Sequence, residues 1–388
     1  MIEGTTVAGG GSQKKLKVGL VGGGGPGSFF GKVHWKAIAL DGTRELTAGV
    51  LRSRPDEALA AAEEWGLRGF PDVGAMVRAW QRGQVELDYV VIATPNVAHY
   101  AAAKACVEAG LPVLCEKPLT YSVEQAEKLA ALVKRTRVPF LVSYTYTGHP
   151  MMMLAREWVR GGKLGRVRKV EAWYAQGWLS QPLERTGQRQ AVGRTDPKRS
   201  GISNCGGDIG THAFEAATWV TGLQVTRVSA RLNRFVKGRV LDDDFNAIGE
   251  LSNGGTAIIT ATQIAVGHKN DHGLRIFGEQ GSLEWRQERA ERLVLNLGER
   301  DEVYWIGGGG FIPPSIGSYL RLPGGHHEDF IEALANLHST LERMIRRRRG
   351  EKVPAPYPHP GVEDGLAGMR FVAAAVKSSK ARGAWTAV

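Results

Sequence analysis

The chain has 388 residues, of which 43% are hydrophobic and 23% charged, and carries a formal net charge of +11. That length predicts two domains, and no stretch approaches the roughly 18 uninterrupted apolar residues of a membrane span, which excludes a transmembrane protein. Three scattered cysteines, Cys106, Cys115 and Cys205, without CxxC spacing, exclude a disulfide framework and a zinc site and fit a reducing compartment.

Residues 1–14 have no continuous apolar segment ahead of a cleavage site, so a flexible leader and a cytoplasmic location are expected. LKVGLVG is then an apolar run that enters a glycine-rich turn, and GKVHWKAIAL continues with helical spacing: strand, turn, helix. ELTAGVL reads as the next strand and DEALAAAEEWGL as a helix ending at Gly66. The alternation repeats through VELDYVVIATP, HYAAAKACVEAG, LPVLCEKP, VEQAEKLAALVKRT and VPFLVSYT. Strands alternating with helices predict βαβ units and a doubly wound, Rossmann-type parallel sheet over residues 15–147.

Beyond residue 150 strands follow one another: RVRKVEAWYAQGW, VTRVSARLNRF, FNAIGELS, TAIITATQIA, LRIFGEQGSLEWR and LVLNL. Residues 148–388 are therefore expected to form an α+β domain with a large open, mostly antiparallel sheet, and the last helix, VEDGLAGMRFVAAAVKSSKA, to pack back on the first domain. An open sheet with a second partly apolar face predicts a homodimer or homotetramer. The basic residues are scattered except for Arg346 to Arg349, expected as a solvated helix end, so no nucleic-acid partner is inferred. Asp242, Asp243 and Asp244 lack a matching ligand cluster and read as a turn, and no metal site is expected.

In the first turn, Gly22 and Gly24 open a dinucleotide-binding fingerprint and Gly31 is the candidate for its last glycine, with PGSFF, including Ser28, Phe29 and Phe30, inserted in the loop. A plain GxGxxG would put that glycine at Gly27. The second strand ends Leu51-Arg52-Ser53-Arg54, with no acid to take a ribose hydroxyl. Two guanidinium groups and a hydroxyl suit a 2′-phosphate, so NADP is favoured over NAD.

The EKP lysine, Lys117, stands at the carboxyl end of a parallel strand, the edge where such sheets bind ligands, and can stabilise negative charge on a substrate oxygen. Asp208 and His212 are four apart in a helical segment, so both are expected on one face, with the carboxylate orienting an imidazole that accepts a proton. Whether Lys117 or His212 removes the proton stays open.

VGLVGGG followed by GKVH, IATPN with a following His99, EKP, and GGDIGTH together resemble the Gfo/Idh/MocA family of sugar and cyclitol oxidoreductases. The resemblance covers nearly the whole chain. It implies hydride transfer between a secondary hydroxyl of a sugar, glycoside or cyclitol and NAD(P), with Lys117, Asp208 and His212 as catalytic residues and Thr94, Pro95, Asn96, His99 and Glu116 added to the cofactor contacts. Tyr146, Gln176, Trp178 and Arg194 read as a sugar-binding set of an aromatic plane and hydrogen-bonding groups, and the AQGW stretch is similar to the levoglucosan-dehydrogenase type. His149, Asp196 and Lys198 are weaker candidates. The alternative is a non-catalytic dinucleotide sensor or regulatory subunit on the same fold.

Overall fold

The computed structural model describes residues 14–25, 28–307 and 310–388. The expected leader and Gly27 lie outside the described residues, apart from Lys14. Six strands, β1 Leu16–Gly22, β2 Arg44–Val50, β3 Arg68–Gly69, β4 Tyr89–Ala93, β5 Val113–Cys115 and β6 Phe140–Val142, form an all-parallel sheet in the order β3-β2-β1-β4-β5-β6. Helices cover both faces, which is why β1 and β4 read as continuous apolar runs rather than alternating ones. The strand order reverses at β1, and the crevice beyond its carboxyl end is where such a sheet receives a ligand.

Nine further strands make the second sheet: β7 Val167–Ala175, β8 Val225–Asn233, β9 Asp244–Leu251, β10 Thr256–Thr262, β11 Asp271–Gly278, β12 Ser282–Arg286, β13 Arg292–Leu297, β14 Arg300–Trp305 and β15 Thr386–Ala387. Their order is β14-β13-β12-β11-β7-β10-β9-β8-β15, antiparallel except for the β7–β10 pair. Val170, Ala172, Tyr174, Ala257 and Ile259 point into the core beneath the helices Pro150–Arg160 and Thr211–Thr221. The alternate residues face outward. Among them the Trp173 ring is flanked by the guanidinium carbons of Arg275 and Arg286, 5.3 and 5.2 Å from its centroid.

The two cores do not part where the sequence changes grammar. Helix Phe330–Arg348 packs Leu337, Leu341 and Ile345 against Leu16, Leu20 and Tyr89 of the first sheet. The last helix, Val362–Lys380, spans both cores: Val362 and Leu366 join the first, Phe371, Val372 and Ala375 the second. Arg346 departs from the solvated end expected for it, because it is buried and pairs with Glu342 and Glu351 at 2.8 and 2.9 Å. Fully buried Arg44 likewise holds Glu342 at 2.9 Å, pinning this helix to the start of β2.

Leu337→Ala is therefore expected to cost about 2–5 kcal/mol, as large-to-small changes in a packed core do. Urea unfolding followed by far-UV circular dichroism measures it, and a cost below ~1 kcal/mol would detach the helix from the first core.

Candidate active site

β1 delivers the chain into the glycine turn with Gly22 and Gly23 at φ +85° and +78°, a region L side chains rarely adopt. A Cβ on Gly31 would sit 2.2 Å from the Gly23 carbonyl oxygen, so only glycine lets helix Phe30–Ala39 start this close to the turn. Gly31 thus fills the helix-packing place of the fingerprint, with the expected insertion between. The Gly24 N–H donates to Leu51 O at 3.1 Å, and Gly25 faces open space. Gly22, Gly23 and Gly25 line a cavity of about 560 Å³ together with Arg52, Ser53, Thr94 and Pro95. A glycine backbone beside a helix start, with cations near it, fits the phosphates and ribose of a dinucleotide.

A second cavity, of about 480 Å³, is lined by Phe29 and Phe30 of the same turn, by Glu116 and Lys117 after β5, and by Tyr146, Gln176, Trp178, Arg194, Asp208 and His212. Lys117 Nζ donates to the Asp208 carbonyl and to its Oδ1, at 2.8 and 2.9 Å. Arg194 Nη2 lies 2.9 Å from the same Oδ1, and Gln263 Nε2 donates to Oδ2 at 2.9 Å. Burial raises the Asp208 carboxyl, but Arg194 and Lys117 outweigh it and hold it below the ordinary aspartate value.

The local fold that presents Asp208 is a π-turn, Gly206–Gly210, running into helix Thr211–Thr221. Asp242 anchors its start by accepting from Ser203 Oγ, Asn204 N and Gly206 N at 2.9, 3.0 and 2.9 Å. The wider turn changes the four-residue register. In place of the expected Asp208–His212 pair, the carboxylate serves Lys117, Arg194 and Gln263, and among the described residues no hydrogen bond joins it to His212. His212 packs edge-on against Tyr146, with ring centroids 4.9 Å apart. Burial, then Lys117, His272 and Arg194, push its pKa well below the usual histidine value, so it is neutral at physiological pH. Behind it, burial brings His149 and His272 down to about 3 and about 4.

Around the cavity Tyr146 Oη and Tyr174 Oη are 2.5 Å apart, while Tyr174 Oη and Gln176 Nε2 both donate to Asn270 Oδ1, at 3.0 and 2.6 Å. Trp178 Nε1 donates to Gln176 Oε1 at 3.1 Å. Glu116 is held from behind by His34 Nε2 at 3.0 Å; His34 Nδ1 meets His338 Nε2 at 3.0 Å, and His338 Nδ1 meets Tyr89 Oη at 2.8 Å. Burial raises the Glu116 carboxyl, but His34 and Lys117 keep it lowered and therefore ionised. Tyr89, His338, His34 and Glu116 thus form one continuous hydrogen-bonded line in which His34 Nε2 donates to the carboxylate. Gln263, Asn270, His34 and His338 escape the sequence reading because each acts through a partner far away in the chain.

Several candidates lie elsewhere. His99 is fully buried, its nitrogens 2.9 Å from the carbonyls of Pro118 and Thr94, so it braces the two loops instead of reaching the crevice. Arg54 turns outward to Asp56 and Glu57 at 3.1 and 3.6 Å. Glu57 also stands 3.5 Å from Arg52, so the expectation that no acid sits beside this strand end is corrected. Asn96 is buried, with its amide 3.5 Å from Ser200 O, and Gly24 packs on Leu51. The Ser28 N–H donates to Gly25 O at 2.9 Å. Asp196 caps the short helix Pro197–Ser200, Lys198 is exposed on it, and His149 is buried behind Tyr146. The oxygens of Asp242 and Asp243 are spent on backbone N–H groups, and Asp244 opens β9.

Residues 16–144 match the oxidoreductase family with an NAD-binding Rossmann fold, and residues 152–284 match the GFO/IDH/MocA C-terminal domain. The fold and these matches define an NAD-binding Rossmann oxidoreductase with an appended sheet domain. The chain belongs to the Gfo/Idh/MocA family. Among solved structures, an oxidoreductase from Sinorhizobium meliloti is 35% identical, with TM-score 0.86 over 96% of this chain and 99% of the other. An inositol dehydrogenase homologue from Azotobacter vinelandii, complexed with NAD+, is 30% identical, with TM-score 0.89 over 97% and 98%. The levoglucosan dehydrogenase of Pseudarthrobacter phenanthrenivorans is 27% identical over 73% of this chain and 76% of its own. Among the described residues no helix is long and apolar enough to cross a membrane.

Asp208→Asn leaves the buried Lys117 and the partly buried Arg194 without their counter-charge and is expected to lower stability by about 3–5 kcal/mol at pH 7. Because the folded carboxyl is lowered, its contribution is present above the unfolded value near ~4 and is lost as pH falls through the folded one. Denaturant melts of both proteins from pH 7 to 3 check this: the gap must narrow on acidification.

Proposed function

We propose that the chain is a dehydrogenase that oxidises a secondary hydroxyl of a sugar, glycoside or cyclitol, or reduces the corresponding ketone, with NADP preferred over NAD. The observation that carries this reading is that Lys117, Asp208 and His212 line one cavity into which Phe29 and Phe30 of the dinucleotide turn also project. The nicotinamide ring, when bound, supplies hydride acceptance and donation. The chain supplies the rest. Lys117, charged and fixed by Asp208, donates a hydrogen bond to the substrate oxygen and stabilises it as its proton leaves. His212, neutral and with no hydrogen-bond partner among the described residues, takes that proton.

Lys117 and Arg194 set two cations around the Asp208 carboxylate, and the Lys117 ammonium favours an alkoxide over an alcohol at its own position, while ionised Glu116 balances the charge of the cavity as a whole. Gln176, Asn270 and the linked tyrosines offer donors and acceptors to neighbouring hydroxyls, and Trp178 a face for the ring. The preference for NADP rests on Arg52 and Ser53 in the dinucleotide cavity and on the unpartnered, buried Nε of Arg52. Glu57 opposes it. The outward face around Trp173 and Ile248 is the proposed contact of a homodimer or homotetramer, and the cytoplasm the proposed location.

The test is a panel of sugars, glycosides and inositols with NAD and with NADP, following absorbance of the reduced nicotinamide. Turnover is expected with at least one polyol, and Lys117→Ala or His212→Gln should lower kcat by about 10²–10⁴-fold with the circular dichroism spectrum unchanged. No turnover across the panel sinks the reading.

A base whose folded pKa is lowered is in its accepting form above that lowered value. The acidic limb of kcat/KM for oxidation is therefore expected below the ~6.5 of free histidine. A limb at 6.5 or higher, absent in His212→Gln, would contradict it.

A further inference from the structure

Helix Arg189–Thr195 belongs to the second domain yet borders both cavities. Arg189 lines the dinucleotide cavity beside Gly25 and Arg52, while Gln190 and Arg194 line the neighbouring one, where Arg194 is paired with Asp208 at 2.9 Å. The short helix Pro197–Ser200 is tied to it by Ser200 Oγ, which donates to Gly193 O at 2.9 Å, and brings Arg199 to the same dinucleotide cavity. Among the described residues neither Arg189 nor Arg199 makes an ion pair or a side-chain hydrogen bond. Elsewhere Arg44, Arg239, Arg321 and Arg346 each hold two carboxylates.

Arg52 adds a third guanidinium from the opposite wall, its buried Nε without a partner. The acids on this cavity are committed: Asp72 caps the next helix by accepting from Ala75 N at 2.7 Å, and Glu57 lies against Arg52 and Arg54. Three guanidinium groups converging on one space from two domains, the second-domain pair Arg189 and Arg199 without ion-pair partners, select an anion with several acceptor oxygens.

We propose that Arg189 and Arg199 receive a phosphate group of the bound dinucleotide, and that this contact fixes the helix that sets Gln190 and Arg194 in the substrate cavity. The inference rests on the dinucleotide reading of that cavity. The phosphate belongs either to the pyrophosphate, shared by NAD and NADP, or to the 2′-position of NADP. Because one rigid two-turn element touches both spaces, an anion held at one end restrains the other, and the coupling acts equally in both directions.

The full-length protein and the double variant Arg189→Ala/Arg199→Ala are titrated with NAD, NADP and ADP-ribose by calorimetry at low and at moderate salt. Both side chains are exposed, and unchanged thermal melts verify the fold. The variant is expected to bind about tenfold or more weakly, with a shallower salt dependence. An equal loss for all three ligands assigns the pyrophosphate, and a loss confined to NADP assigns the 2′-phosphate. Hydrogen exchange of amides 188–200 is expected to slow when either dinucleotide saturates the wild type, and not in the variant at matched saturation. Affinities within twofold of wild type for every ligand, or equal protection in both proteins, overturn the proposal while leaving the dehydrogenase reading intact. Failure of the wild type to bind any of the three ligands overturns that reading and this one together.

Discussion

One buried carboxylate between two cations sets the rest of the site. Lys117 comes from a loop of the first domain, Asp208 and Arg194 from the second, and the buried charges of Lys117 and Asp208 would not be tolerable alone where they stand. The ion pair therefore fixes the relative placement of two lobes as well as two side chains. Asp208 in turn depends on Gln263, which accepts from Asn204 at 2.8 Å, while Asp242 secures the turn that carries it. The Lys117 ammonium is thus rigidly held, and electrostatic stabilisation is strongest where nothing must reorganise.

Histidines occupy two different environments near this pair. His212, His149 and His272 are kept neutral chiefly by burial, so the substrate side of the cavity has imidazoles that accept protons and do not add charge. His34 sits on the opposite side in a hydrogen-bonded chain that ends on Glu116, so an anion stands next to Lys117 in sequence while another opposes its ammonium in space. The division follows from partners. His34 meets a carboxylate; His212 meets rings and cations.

The fold was largely legible because periodicity is local: the alternation of strand and helix to residue 142, and the change to consecutive strands after residue 166, are written in each segment's own residues. Short or edge elements were not, as with β3, two residues long, or β14, whose DEVYW contains little apolar contrast. Helix Pro150–Arg160 does carry a one-sided apolar pattern, with Arg156, Glu157 and Arg160 off the buried face, and is concealed only by its place at the change from alternating elements to consecutive strands. The site divides similarly. Lys117, Asp208, His212, Tyr146, Gln176, Trp178 and Arg194 meet in one cavity because motif residues cluster at strand ends, where the topology must bring them together. The partners of Asp208 were misjudged because a π-turn replaced an α-turn, and a single inserted position in a helix leaves no periodic trace.

The closing of the first sheet by Leu337, Leu341 and Ile345 has a consequence for how the chain is made. A ribosome that has released residues 16–144 has completed every strand of the first sheet, yet part of one apolar face stays wet until synthesis passes residue 345. The amino-terminal half must then wait, partly assembled, for its own lid. Cutting the gene between the halves would leave the amino-terminal fragment with that apolar surface open to water.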